Sequence, residues 1–257
     1  MASFSVPRLA VIGAGFLGRV VAKDAQRGGW CVIPVVRSQA SADLLRAEFP
    51  DVRVADAVAF SFWEKDVPAC EAMVWAIAPS RVRPDDDFLV MHRQGAVRAA
   101  DWAGRKGIPF VYISSTSVYA ENEGGWVSED SPLANGDERA VAMKEAEHAC
   151  LRANGTVLRC AGLYGRERTL QPDGEGPERW LNLVHVEDAA RAVGVALRQR
   201  NKVFNVSEDE PRRRGKPGGS WPEARQRSRR NKRVSNRRLR ALGWSVVSGE
   251  RRPEALA

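Results

Sequence analysis

The chain has 257 residues, 44% of them hydrophobic, which is enough to bury a full core as one domain with a small appendage. No run approaches eighteen apolar residues, so no segment is predicted to cross a membrane. The net charge of +8 is uneven: between Arg212 and Arg240 thirteen Lys or Arg face one acid, a local charge of +12 that leaves −4 for the other residues. The basic character therefore belongs to one segment and not to the fold.

The start of the chain lacks the basic region and long apolar run of a signal or transit peptide, since the first predicted strand begins by Leu9. The cysteines are scattered, without a C-x-x-C pair, so we expect reduced, largely buried thiols and no metal site. These features favour a cytoplasmic or another reducing compartment. The cysteines are Cys31, Cys70, Cys150 and Cys160.

Apolar runs alternate with helical patterns along most of the chain. Strands are predicted at 9–12, 30–36, 52–55, 71–77, 110–113, 157–160 and 203–206. Helices are predicted at 19–27, 41–48 with Ser41 as its cap, 88–105, 138–153, 187–198 and 234–242. This alternation predicts an α/β fold: a Rossmann doubly wound parallel sheet with helices on both faces and a small, reduced C-terminal substrate region.

A glycine-rich turn joins the first strand to the first helix, where Gly13, Gly15 and Gly18 have the spacing G-x-G-x-x-G. In this setting the first glycine permits a tight turn, the second lets a pyrophosphate approach, and the third lets helix and strand pack closely. The helix N-terminus adds N–H groups and a favourable dipole. The sequence thus predicts dinucleotide binding, with a purely structural turn as the alternative. The predicted contacts are Gly13, Ala14, Gly15, Phe16, Leu17 and Gly18.

Ligands of doubly wound sheets bind at the carboxyl ends of the strands. Arg37 follows the second strand, nineteen residues after Gly18. An acid there would accept a ribose 2′-hydroxyl, whereas an arginine pairs with a 2′-phosphate, so NADP is favoured over NAD. The alternative for Arg37 is a surface charge. Further cofactor contacts at this edge are predicted at Ala76, Ala78 and Ser114.

Several longer motifs occur in order: GAGFLG at 13–18, SSTSVY at 114–119, LRCAGLYG at 158–165, NLVHVEDAA at 182–190, FNVSEDEP at 204–211 and KRVSNRRLRALGW at 232–244. Together they resemble the extended short-chain dehydrogenase/reductases of the NAD-dependent epimerase/dehydratase type, and the glycine spacing resembles the atypical, YeeZ-like branch. The resemblance implies an NAD(P)-binding core over residues 1–165 and the remainder of the fold over 166–206. It also implies an adenine contact for Asp56, which could instead cap its strand.

In this family a Ser or Thr after the fifth strand and a Tyr-x-x-x-Lys on the next helix transfer protons while hydride moves to or from nicotinamide. By resemblance, Ser115 takes the Ser position and Lys144 the Lys position. The residue four before Lys144 is Ala140, and the chain contains no Tyr-x-x-x-Lys. A positioned phenol contributes about 10²–10⁴-fold to such a reaction. Water, Ser115, Tyr119 or His185 could take its role, and Ser115 could also be only a polar strand end.

Four residues are predicted to line a substrate cleft: Arg81, Thr116, Tyr119 and His185. Arg81 could hold an anionic substrate or be a solvated charge. His185 lies at the start of a helix in the resembling family, and a structural role is the stronger interpretation.

Residues 207–233 form a basic segment rich in Pro and Gly, predicted to be mobile, and 234–257 form a short helix and a tail. Such charge attracts RNA, an acidic protein or membrane lipid, although Trp221 is its only aromatic residue. Three functions remain open at this point: a structural, regulatory or assembly component that holds NADP, an NADP-dependent oxidoreductase or epimerase with rerouted proton transfer, and an RNA-binding protein on a Rossmann scaffold.

Overall fold

The computed structural model describes residues 6–78, 88–169, 177–215 and 231–248. The strands are β1 (Arg8–Ile12), β2 (Cys31–Val36), β3 (Arg53–Val54), β4 (Ala72–Trp75), β5 (Phe110–Ser115), β6 (Trp126–Val127), β7 (Thr156–Cys160), β8 (Gly162–Tyr164), β9 (Arg179–Leu181), β10 (Leu183–His185), β11 (Lys202–Val206), β12 (Arg212–Arg214) and β13 (Arg233–Val234). The helices are α1 (Phe16–Arg27), α2 (Gln39–Arg46), α3 (Phe88–Val90), α4 (Val97–Lys106), α5 (Glu138–Arg152), α6 (Val186–Ala196) and α7 (Arg237–Arg240).

Seven strands form one parallel sheet in the order β11-β7-β5-β4-β1-β2-β3. Side chains of successive strand residues point to opposite faces. In β1, Leu9 and Val11 pack in the cluster that includes α1, α2 and α6, whereas Ala10 and Ile12 pack in the cluster that includes α4 and α5. Both faces of the sheet are therefore covered by helices, and the predicted doubly wound fold is confirmed.

Some element boundaries differ from the prediction. The hydroxyl of Ser38, and not that of Ser41, caps α2 by accepting a hydrogen bond from the Ser41 amide. The predicted helix 88–105 contains a π-helical turn at Met91–Ala96. Within this turn Gly95 packs on the ring of Trp75, where a Cβ would lie only 2.6 Å from the indole.

Three short strand pairs build the region beyond the main sheet: β8 with β10, β9 with β12, and β6 with β13. Both ends of the basic segment 207–233 contain strand residues, because Arg212–Arg214 and Arg233–Val234 pair with strands earlier in the chain. The middle of the segment, with Trp221, lies outside the described residues.

The C-terminal residues return to α6. The indole nitrogen of Trp244 donates to the carbonyl oxygen of Asp188 at 3.0 Å, and the Ser248 amide donates to the Asp188 carboxylate at 3.0 Å. This closes the fold on the face of the sheet that carries α1 and α6.

No helix within the described ranges is long and apolar enough to cross a membrane. Cys150 and Cys160 are buried, and burial raises the pKa of the Cys160 thiol to about 12. Cys31 is exposed, in contrast to the expectation of largely buried thiols. It is the first residue of β2, at the amino end of the sheet.

Candidate functional site

The three glycines of the turn have different surroundings. Gly13 has φ +94°, and a Cβ there would lie 2.6 Å from the amide nitrogen of Ile77. A Cβ on Gly18 would collide with the carbonyl oxygen of Gly13. A Cβ on Gly15 would meet no atom within 4 Å. The fold itself therefore requires Gly13 and Gly18, whereas Gly15 faces open space at the start of α1, as a pyrophosphate site needs.

The other residues of the turn divide between core and surface. The side chains of Ala14 and Leu17 are buried in the core, so only their main chain could contact a ligand. Phe16 is half-buried, and the guanidinium of Arg168 lies 4.6 Å from its ring centroid. Glu167 forms an ion pair with Arg19. The residues after β8 thus lie over the first turn of α1.

Arg37 and Asp56 lie at the carboxyl ends of the neighbouring strands β2 and β3. Arg37 is exposed and directly precedes Ser38, the N-cap of α2. Asp56 is exposed, and its Oδ1 accepts a hydrogen bond from the Val58 amide at 3.0 Å. Asp56 therefore caps a turn at the end of its strand, and Arg37 is exposed at the end of the neighbouring strand.

The end of β4 meets the glycine-rich turn. The Ala76 amide donates to the carbonyl oxygen of Ile12 at 2.8 Å, and Ile77 packs beneath Gly13. Ala78 is exposed at the same edge. Arg81, predicted to line the cleft, lies outside the described residues.

Ser114, a predicted cofactor contact at the end of β5, has its side chain in a buried polar network. It is buried, and its hydroxyl donates to Glu147 Oε1 at 2.5 Å. Glu147 is 1% exposed and pairs with Arg159, 4% exposed, at 2.7 Å. Burial alone would lower the pKa of the Arg159 guanidinium, but its hydrogen bonds with Glu147 outweigh this and hold the pKa above its ordinary value. The hydroxyl of Ser114 thus serves a buried ion pair.

The sequence alone did not indicate this ion pair. Arg159 stands in the middle of an apolar strand, and a charge in such a position requires a buried partner. That signal could have predicted a partner, but not that Glu147 of α5 supplies it.

Tyr119, predicted to line the cleft, is 2% exposed and belongs to the same buried network. Its hydroxyl donates to Asn205 at 2.7 Å and accepts from Arg159 at 3.0 Å. Burial raises the pKa of Tyr119, although Arg159 opposes the shift. The phenol of Tyr119 is therefore buried, and both of its hydrogen-bond partners lie inside the protein.

The other two tyrosines are also engaged. Tyr112 is buried and hydrogen-bonded to His92 Nδ1 at 2.7 Å. The hydroxyl of Tyr164 donates to Glu208. Each of the three phenols in the chain therefore already has a hydrogen-bond partner within the fold.

Ser115 and Lys144 have separate partners. The Ser115 hydroxyl accepts from the Ser117 amide at 3.1 Å and caps the 3₁₀ turn Thr116–Val118. The ammonium of Lys144 donates to Asn135 at 2.5 Å, in the loop before α5. Met143 packs against Val118 instead, and the next residue of a helix is rotated by about 100°. The side chain of Met143 thus packs beside the 3₁₀ turn, and the ammonium of Lys144 is bound to the loop before α5.

His185 lies next to the glycine-rich turn. Its Nδ1 accepts a hydrogen bond from the Glu187 amide at 3.3 Å, which makes His185 the N-cap of α6. A Cβ on Gly165 would lie 3.5 Å from His185 Nε2 and 3.6 Å from the Phe16 ring. His185 therefore caps α6 at a position beside α1. Thr116 is half-buried in the 3₁₀ turn at the end of β5.

The sequence model of the NAD-dependent epimerase/dehydratase family matches residues 9–182, about two thirds of the chain. The protein belongs to this family. The match includes the glycine-rich turn, the end of β5 and the buried ion pair between α5 and β7. No curated protein sequence matches the chain significantly.

Solved structures share the fold at low sequence identity. A conserved protein of unknown function from Silicibacter pomeroyi is 23% identical, with 93% of each chain covered and a TM-score of 0.71. MoeE5 in complex with UDP-glucuronic acid and NAD is 19% identical, with 95% of each chain covered and a TM-score of 0.73. WbmG of Bordetella bronchiseptica, in complex with NAD and UDP, is 15% identical over 95% of this chain and 91% of its own, with a TM-score of 0.76.

Proposed function

We propose that this family member binds NADP and does not carry out the family's tyrosine-dependent proton transfer, so that the dinucleotide stabilises a structural, regulatory or assembly component. The observation that carries the proposal is that the face of α5 beside the end of β5 has no proton-donating side chain at the position of the family's tyrosine. Ala140 and Met143 are buried there, and all three phenols of the chain are engaged elsewhere. Hydride transfer to a carbonyl needs a proton for the developing alkoxide, and Ala and Met cannot donate one.

Dinucleotide binding is supported by the open space around Gly15, the N-cap of α1, which has no side-chain cap and where the helix dipole favours an anion. In this proposal the main chain of residues 13–18 holds the pyrophosphate, and the exposed Arg37 pairs with the 2′-phosphate. Neighbours of the same fold that contain NAD, MoeE5 and WbmG, support the class of ligand but do not separate NADP from NAD.

The test is calorimetric titration of NADP into the wild-type protein and into Gly15→Val. A Cβ on Gly15 would meet no protein atom within 4 Å, so we expect Gly15→Val to keep the fold. Its side chain would fill the space proposed for the pyrophosphate, so we expect binding at least about 100-fold weaker. Gly136→Val is the matched control, because Gly136 is also exposed and a Cβ there also meets no atom within 4 Å. No dinucleotide binding by the wild-type protein would disprove the proposal.

A second candidate is an NADP-dependent oxidoreductase or epimerase that transfers its proton through Ser115 or water. It is favoured by the half-buried position of Ser115 at the carboxyl end of β5. NADPH oxidation against a panel of carbonyl compounds, with loss of turnover in Ser115→Ala, would establish this candidate and overturn the first. Absence of turnover with bound NADP would support the first.

A further inference from the structure

Two tryptophans and two arginines stack alternately in the region beyond the main sheet. The Arg213 guanidinium lies 4.8 Å from the ring centroid of Trp180. The Arg233 guanidinium lies 5.3 Å from Trp180 and 5.3 Å from Trp126. We call Arg213, Trp180, Arg233 and Trp126, in this order, the Trp–Arg stack. Each contact has the geometry of a cation–π interaction.

The stack is built by strand pairing. Arg213 is paired with Trp180 between β12 and β9, and Arg233 is paired with Trp126 between β13 and β6. Gly124 makes room for it, since φ is +94° and a Cβ would lie 3.3 Å from the Trp180 ring. The Arg233 Nε also donates to the Gly124 carbonyl oxygen at 2.8 Å. The stack thus joins the two ends of the basic segment to aromatic residues from elsewhere in the chain.

One end of the stack is open. Trp126 is 54% exposed and borders a cleft of about 660 Å³. The hydroxyl residues Ser128, Ser131 and Ser235 and the exposed Arg237 line the same cleft. Asp209, the acidic residue among the lining groups, is already paired with Arg240. An exposed indole, hydroxyl donors and an arginine therefore face one space.

We propose that this cleft binds single-stranded nucleic acid, with a base stacked on Trp126 and a phosphate held by Arg237 and the hydroxyls. Proteins that bind single strands combine aromatic rings for the bases with cations along the backbone. The exposed guanidinium of Arg237 supplies the positive charge for a phosphate at this cleft, since Arg238 and Arg240 are already paired with acids. An acidic protein would use the charge but would leave the exposed indole unexplained. None of the lining residues belongs to the glycine-rich turn, so this function is independent of the proposed dinucleotide binding.

The experiment measures the fluorescence anisotropy of labelled oligouridylate and oligothymidylate of about 12 nucleotides with the full chain, at about 50 and 200 mM salt. We expect Trp126→Ala to weaken binding about tenfold and Trp126→Phe less than about threefold, because phenylalanine keeps a stacking face. Arg237→Ala should weaken binding and reduce the salt slope by about one. Phe60→Ala is the control. Phe60 is also exposed and lies beneath an arginine, Arg98, but it does not line this cleft.

Stronger binding of the ribose strand would indicate contacts with the 2′-hydroxyl, and equal binding of both strands would place recognition in base and phosphate. The proposal is overturned if neither strand binds at the lower salt concentration, or if Trp126→Ala binds as tightly as Phe60→Ala. It is also overturned if a polyglutamate peptide binds with the same dependence on Trp126. Gly15→Val should retain the affinity for single strands, which separates this test from that of the dinucleotide.

Discussion

Replacing Glu147 with leucine should strongly destabilise the protein. Both members of the Glu147–Arg159 pair are buried, and the guanidinium makes hydrogen bonds of 2.7, 3.1 and 3.2 Å to the carboxylate. Removing the carboxylate leaves a buried positive charge, which costs about 3–5 kcal/mol. The hydroxyl of Ser114 loses its acceptor as well, which adds about 1–3 kcal/mol. Since natural domains are stable by about 5–15 kcal/mol, the variant should lie close to unfolding.

The measurement is urea unfolding followed by tryptophan fluorescence and circular dichroism. The double variant Glu147→Leu with Arg159→Met should recover part of the loss, because apolar groups of similar size can replace a buried pair. Recovery stays partial, since Arg159 also donates to Tyr119 and to the carbonyl oxygen of Glu129. The reasoning is refuted if Glu147→Leu costs less than about 1 kcal/mol, or if the double variant is no more stable than the single one.

Three further predictions concern stability and cofactor choice. Burial lowers the pKa of His92 from 6.5 to about 4, so between these pH values the unfolded chain binds a proton that the folded chain does not. The free energy of unfolding should therefore fall by about 1.4 kcal/mol for each pH unit of acidification in this range. His92→Gln should abolish this component in urea titrations at several pH values. Arg37→Gln should weaken NADP binding about tenfold and leave NAD binding unchanged, and an equal loss for both would contradict the assigned 2′-phosphate contact. Gly18→Ala should destabilise the protein by about 1–3 kcal/mol, whereas Gly15→Ala should not, and equal melting temperatures would contradict the packing of the turn.

The sequence by itself determined the fold class and the glycine-rich turn, because both depend on local patterns. The apolar run of β1, the glycines that follow it and the helix after them lie within twenty consecutive residues, 8–27. Alternation of strands and helices then predicts a parallel sheet, since parallel strands need crossovers. The absence of a Tyr-x-x-x-Lys motif is likewise evident from the sequence alone.

Only the tertiary structure decided where the polar side chains of this framework point. Ser114, Tyr119 and Lys144 each have a hydrogen-bond partner that the sequence did not indicate. The partners of the first two are distant in sequence, since Ser114 bonds to Glu147 and Tyr119 to Asn205. The Trp–Arg stack joins residues up to 107 positions apart, from Trp126 to Arg233, so no local pattern could have predicted it. Such contacts depend on strand register and packing. They exist only once the whole fold has formed.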